Sequence, residues 1–174
     1  MTRFNTFVAA LISAVTLATS ASATPAEVKS LLSNPQKLGE TTATLFNLDL
    51  YRAELFTPNG SSFSMDRPFA LTLEYQYNFS AAMLAMASAR EIARMEKIRM
   101  AGLRPLQTQL RDCFRDVKAG ERITGYGKAS DEIAFYKNGQ RTCSLKLSNI
   151  RARFFNIWLG PKTRDPDGAL RLKG

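Results

Sequence analysis

The dipeptide Asn138-Gly139, set between two short β-type runs, constrains this chain more than any other feature. A two-residue hairpin loop of the primed type needs positive φ at both central residues, which asparagine and glycine supply at least cost. Asp131–Tyr136 before it and Arg141–Leu147 after it therefore read as adjacent antiparallel strands. In the second run Cys143, Leu145 and Leu147 alternate with Thr142, Ser144 and Lys146, the period of a half-buried strand. Glu121–Ala129, poor in helix formers, opens the same meander. Phe154, Phe155, Ile157, Trp158 and Leu159 follow as one short apolar helix, stopped at Gly160-Pro161. The stretch Glu121–Gly160 thus specifies a sheet with one face to cover and a helix to cover it.

The upstream chain extends that sheet. Phe69, Leu71, Leu73, Tyr75, Tyr77 and Phe79 alternate with Ala70, Thr72, Glu74, Gln76 and Asn78, which predicts a strand over Phe69–Phe79 buried on one face. Core packing and the lining of a ligand cavity both satisfy such an aromatic ladder. Gly39–Phe56 has strand-like density in Thr, Leu, Phe and Tyr and predicts one or two strands joined near Asn47. Pro58–Ser62 is a turn. Ser80 is a natural N-cap for a helix over Ala81–Met100, which gathers Arg90, Arg94, Lys97 and Arg99 at its favourable C-terminal end. Met83, Met86, Met95 and Met100 give that helix an adaptable apolar surface, suited to core or to cavity. After Gly102 and Pro105, a second helix to about Val117 places Leu103, Leu106, Leu110, Cys113 and Val117 on one face. Thr24–Leu38 is a short helix or an extended arm, and the tail carries a turn at Asp165–Gly168 before a short helix over Ala169–Leu172.

Composition removes several chemistries. Among 174 residues there is no histidine, so Ser–His–Asp and Cys–His catalysis, His-bearing zinc sites and the usual neutral-pH base are excluded. Two cysteines are too few for a thiolate zinc site and too far apart for a Cys-x-x-Cys motif. No metal and no cofactor is expected. Met1–Ala23 has the parts of a secretory leader: basic Arg3, the apolar run Phe7–Ala18, and Ala21-Ser22-Ala23 as the cleavage site. No run reaches the length of a membrane span. The expected product is a periplasmic protein cut after Ala23, with residues 24–174 forming one domain. In that oxidising compartment Cys113, on a buried helix face, and Cys143, on a buried strand face, are placed to form a disulfide, with two separate buried thiols as the alternative. The net charge of +9 suits an anionic partner or a solvated basic surface. Export and the scatter of the basic residues argue against nucleic acid.

At this point the chain resembles a known family. Tyr51-Arg52-Ala53-Glu54-Leu55-Phe56 is similar to a strand motif of bacterial chalcone isomerase-like proteins. Phe114–Glu121, the Asn138-Gly139 turn, Phe155-x-Ile157-Trp158-Leu159-Gly160-Pro161 and the leucine-bearing tail resemble further family motifs, in the same order along nearly all of the mature chain. The resemblance implies an α+β fold: a large antiparallel sheet covered on one face by a layer of helices, an open-faced β-sandwich with a cleft between the layers. It implies either isomerisation of chalcones or, as in other members, fatty-acid binding by a buried arginine and tyrosine. Ala43 falls where the family's arginine stands, and Phe46 where the enzyme's threonine stands. Both departures count against the isomerase.

The expectation is therefore a non-catalytic exported protein that holds a small apolar or carboxylate ligand between sheet and helices. Tyr75 and Tyr77 would line the site, and Arg52 or Arg90 would hold an anionic head through a charge-assisted hydrogen bond. Arg52 shares strand parity with Leu48, Leu50 and Phe56, which suits an inward position, while Glu54 and Asp49 would make it a structural ion pair. The alternatives are an isomerase or intramolecular lyase using tyrosine or lysine as acid and base, and a partner-binding protein with a filled core.

Overall fold

Residues 23–174 are described in a computed structural model; apart from Ala23, the expected leader lies outside them. Strands β1 (Pro35–Leu45), β2 (Leu48–Pro58), β3 (Phe69–Tyr75), β4 (Arg122–Ala129), β5 (Glu132–Lys137) and β6 (Gln140–Lys146) form one sheet. Each pairs antiparallel with its sequence neighbours, so the sheet order is the chain order. The β5–β6 turn has Asn138 at φ 48° and Gly139 at φ 86°, the left-handed pair that its sequence predicts. The β1–β2 turn falls at Phe46 and Asn47, also both left-handed, beside the expected junction.

Helices α1 (Ala26–Leu31), α2 (Ala81–Glu96), α3 (Arg104–Cys113), α4 (Ile150–Leu159) and α5 (Pro166–Lys173) complete the chain, with a 3-10 turn at Met100–Leu103. Ser80 caps α2 by accepting a hydrogen bond from the Met83 amide at 3.2 Å. The helix stops short of Met100 because Lys97 turns left-handed at φ 57° and its amide closes on the Ala93 and Arg94 carbonyls. α3 likewise ends at Cys113, before Val117, which leaves Val117 free to pair with Phe79 across a two-way backbone bridge. The tail turn expected at Asp165–Gly168 is the first turn of α5. Asp165 accepts from the Gly168 amide at 2.8 Å, and Pro166 occupies the first helical position, where its missing N–H costs nothing.

One core lies between the sheet and the helices. Leu55, Phe69, Leu71, Leu73, Phe135 and Leu145 from the strands meet Ala85, Ala89 and Ile92 of α2, Leu106 and Leu110 of α3, and Phe154 and Phe155 of α4. A smaller cluster of Val28, Leu32, Phe56 and Ala70 lies on the opposite face, where α1 is laid down. Glu27 fixes α1 there: it accepts from Arg122 Nε at 3.0 Å and from Thr124 Oγ1 at 2.8 Å. Cys113 of α3 and Cys143 of β6 are joined by a disulfide, their Cα atoms 5.1 Å apart, which ties the helix layer to the last strand.

The strand expected over Phe69–Phe79 is shorter than its alternation implies. β3 ends at Tyr75, whose amide goes to the Glu121 carbonyl, while the next amide, of Gln76, goes to Leu50. The chain bends at Gln76 and Tyr77, so the period-2 register is lost two residues before Phe79.

Candidate functional site

A cavity of about 270 Å³ opens between the sheet and helices α2 and α4. Its floor is Leu71, Leu73 and Tyr75 of β3 with Ile123 and Gly125 of β4 and Phe135 of β5; Met83, Leu84, Ala87 and Ser88 of α2 form the roof. Phe154, Phe155, Ile157 and Trp158 of α4 close one side. Gly125 makes the shape possible. A Cβ there would sit 3.0 Å from the Phe155 ring, tighter than an ordinary contact, so any other residue would press that ring away from the strand. Phe155 in turn meets Phe69 edge-on at 4.7 Å between centroids and Phe154 at 5.3 Å, an aromatic cluster that sets the wall rigidly.

The polar groups in this wall are few. Tyr51 and Tyr75 are directly opposed on β2 and β3, their ring centroids 5.8 Å apart. Trp158 Nε1 donates to the Tyr51 hydroxyl at 2.9 Å, leaving the hydroxyl proton of Tyr51 uncommitted. The Tyr75 hydroxyl has no hydrogen-bond partner among the described residues, and burial, helped by the neighbouring Tyr51, pushes its phenol far above the ordinary range. Burial also raises Tyr51, opposed by the Trp158 hydrogen bond. Both hydroxyls therefore stay protonated and act as neutral donors. Ser88 is spent on the Leu84 carbonyl at 2.9 Å. Glu91, at the rim, accepts from Arg94 Nε at 2.9 Å and Arg164 Nε at 2.6 Å.

On the other side of Tyr51 and Trp158 lies an open groove of about 500 Å³ bounded by β1 and α5. It carries Thr41, Arg164 and Arg171, with Arg171 Nη2 donating to Thr41 Oγ1 at 3.0 Å. The Tyr51–Trp158 pair is thus a partition between an apolar cavity and a polar groove.

Of the four residues expected at the ligand, the structure brings Tyr75 alone to the cavity. Tyr77 lies beyond the end of β3 and is 43% exposed. Arg90 is on the solvent side of α2. Arg52 does share a face with Phe56, as its parity indicates, but that is the face under α1, opposite the cavity. There its Nη2 donates to Glu40 at 2.7 Å and to Glu54 at 2.8 Å, with Lys37 joining both carboxylates. β2 buries apolar side chains on both faces, Phe56 on one and Ala53 and Leu55 on the other, so parity does not identify which face the larger helix layer covers. Tyr51 and Trp158 were legible only as motif residues. The register that sets Tyr51 opposite Tyr75 is the signal that unites them.

No protein-family model matches the chain. No curated protein matches it in sequence. Among solved structures it is similar to the crystal structure of a fatty-acid binding protein from Arabidopsis thaliana, with a TM-score of 0.62 and 11% identity over 80% of this chain and 86% of that one. The likeness is one of fold: an α+β, open-faced β-sandwich of the chalcone isomerase-like type.

Proposed function

We propose that this protein binds, without chemical turnover, an apolar or amphipathic fatty-acid-like molecule in the cavity between the sheet and helices α2 and α4. The observation that carries the reading is the cavity itself, walled by apolar side chains and lined by Tyr75, a residue only 6% exposed whose hydroxyl has no hydrogen-bond partner among the described residues. Buried polar groups in native proteins are hydrogen-bonded as a rule, so an unsatisfied donor facing a cavity marks where a ligand's polar atom sits. The similar fold of a plant fatty-acid binding protein supports the same reading. Catalysis is disfavoured by the chemistry of the wall. The tyrosines are held protonated, away from use as a base, the rim carboxylate of Glu91 is engaged by two arginines, and the chain has no histidine.

We propose further that the protein is exported to the periplasm. α1 begins at Ala26, just past the expected cleavage after Ala23, and Glu27 in its first turn is already buried against Arg122 and Thr124. The first described helix thus lies just past the expected cleavage point. N-terminal sequencing of the exported protein will begin at Thr24; a protein that keeps Met1 in the cytoplasm contradicts export.

Binding is tested by titrating an environment-sensitive apolar dye into the purified protein. Saturable binding at one site, displaced by long-chain lipids, is the expected result. Ala87→Phe, which plugs the mouth from an exposed position of α2, will weaken it about tenfold. Absence of saturable binding contradicts the reading.

A further inference from the structure

We infer that the cavity selects an uncharged ligand whose polar end is a hydrogen-bond acceptor, an ester, ketone, aldehyde or quinone on a hydrocarbon frame, in preference to a carboxylate anion. This inference rests on the binding reading above and narrows it.

The charges around the cavity decide the matter. Neither lysine nor arginine is among its lining residues, and the charged residue that is, Glu91, is taken up at the rim by Arg94 and Arg164. Arg52, on the far face of the sheet, is held by Glu40 and Glu54 and cannot reach through the strands. A carboxylate buried here would give up its hydration with no cation to replace it, the costliest kind of desolvation. A neutral carbonyl oxygen loses far less on leaving water, and the wall is built to meet it. Tyr51 and Tyr75 stand side by side on adjacent strands, one hydroxyl without a described partner and the other with its proton uncommitted because its oxygen already accepts from Trp158. Two phenols on directly paired residues, their rings 5.8 Å apart, offer donors to a single carbonyl oxygen with its two lone pairs. An alkane of equal size would fill the cavity and leave both donors unpaired, so the pair also discriminates against pure hydrocarbon.

Two cationic groups, Arg164 and Arg171, lie in the groove across the Tyr51–Trp158 partition, and Arg164 reaches the rim through Glu91. They define the competing arrangement, in which an anionic head stays outside and only the tail enters.

The experiment is displacement of Nile red from the purified full domain by palmitate, methyl palmitate, palmitaldehyde and hexadecane. Near neutral pH the ester and the aldehyde will displace the dye at concentrations about tenfold lower than palmitate. Palmitate will recover affinity as its own carboxyl is protonated towards about pH 5. Tyr75→Phe will weaken the ester and aldehyde several-fold and leave hexadecane unchanged, a difference that loss of folding would not produce. Palmitate bound as tightly as the ester at neutral pH, and weakened by Arg164→Ala or Arg171→Ala, overturns the inference while leaving the binding reading in place. Equal effects of Tyr75→Phe on every probe overturn it too. If neither Nile red nor any lipid binds, the binding reading itself falls, and the inference falls with it.

Discussion

At the scale of single residues, the chemistry of this protein is concentrated in two phenols. Tyr75 is buried and Tyr51 half-buried among apolar groups, and their acidities fall accordingly. The consequence for stability has a definite sign. Below about pH 10 the hydroxyls are protonated in the folded and unfolded chain alike, and their contribution is fully present. Above that value the unfolded chain releases its protons while the folded chain holds that of Tyr75, so stability falls by up to about 1.4 kcal/mol per pH unit on its account, with Tyr51 acting in the same direction. Tyr75→Phe removes one of these contributions. Its thermal midpoint, followed from about pH 9 to pH 11, will fall less steeply than that of the parent. An identical slope would show that the Tyr75 hydroxyl is in contact with water. The same residue shows how far the sequence leads. Alternation puts Tyr75 on an inward face, correctly, but it puts Tyr77 there as well. Only the backbone bonds from Tyr75 to Glu121 and from Gln76 to Leu50, made between distant segments, reveal where β3 stops. Arg52 was ambiguous for a related reason: strand parity gives the two sides of a sheet but not their labels.

At the scale of elements, turn chemistry was the most legible part of the chain and also the place where it departs from rule. Asn138-Gly139 does what its composition predicts. The β1–β2 turn uses Phe46 in the left-handed region at φ 49°, with its side chain 90% exposed, so it strains the backbone and gains no packing. Replacing it should therefore help. Phe46→Asn, which suits a left-handed residue, will raise stability by roughly 1 kcal/mol, or about 2–4 °C in Tm for a domain of this size. A fall in Tm would mean that the phenylalanine makes a contact that its exposure hides. Helix ends were harder to read than turns. Lys97 terminates α2 without any glycine to announce it, and Asp165-Pro166, a turn signature by composition, is a helix cap by position. The disulfide belongs to this scale too, because it joins α3 to β6 across 30 residues. In the chain-entropy account a loop of that length is worth about 3.6 kcal/mol. The paired variant Cys113→Ser, Cys143→Ser will lower the urea midpoint accordingly, and an unchanged midpoint would show that the bridge adds nothing to native stability.

At the scale of the whole molecule, the layering was legible and the cavity was not. Alternating strands, a capped amphipathic helix and a short apolar helix after a meander imply a sheet with helices on one face. They do not imply a void, because the same leucines and phenylalanines fill a core or line a pocket with equal ease. What creates the space here is cooperative: Gly125 seats Phe155 on the sheet, and Tyr51 is held back against Trp158 by a hydrogen bond across 107 residues of chain. The opposite face repeats the lesson. The sequence permits α1 as a helix or an extended arm, and nothing local shows that it crosses to the far side of the sheet. Its buried Glu27 finds Arg122 and Thr124 only once β4 is in place.

The central claim is that the space between sheet and helices is a ligand site. The most direct test is native mass spectrometry of the protein purified from the compartment in which it accumulates, beside the Ala87→Phe variant prepared in the same way. The account predicts one apolar molecule bound per chain, released by organic solvent and lost from the variant. Bare protein in both preparations, still bare after incubation with a total lipid extract, would contradict it.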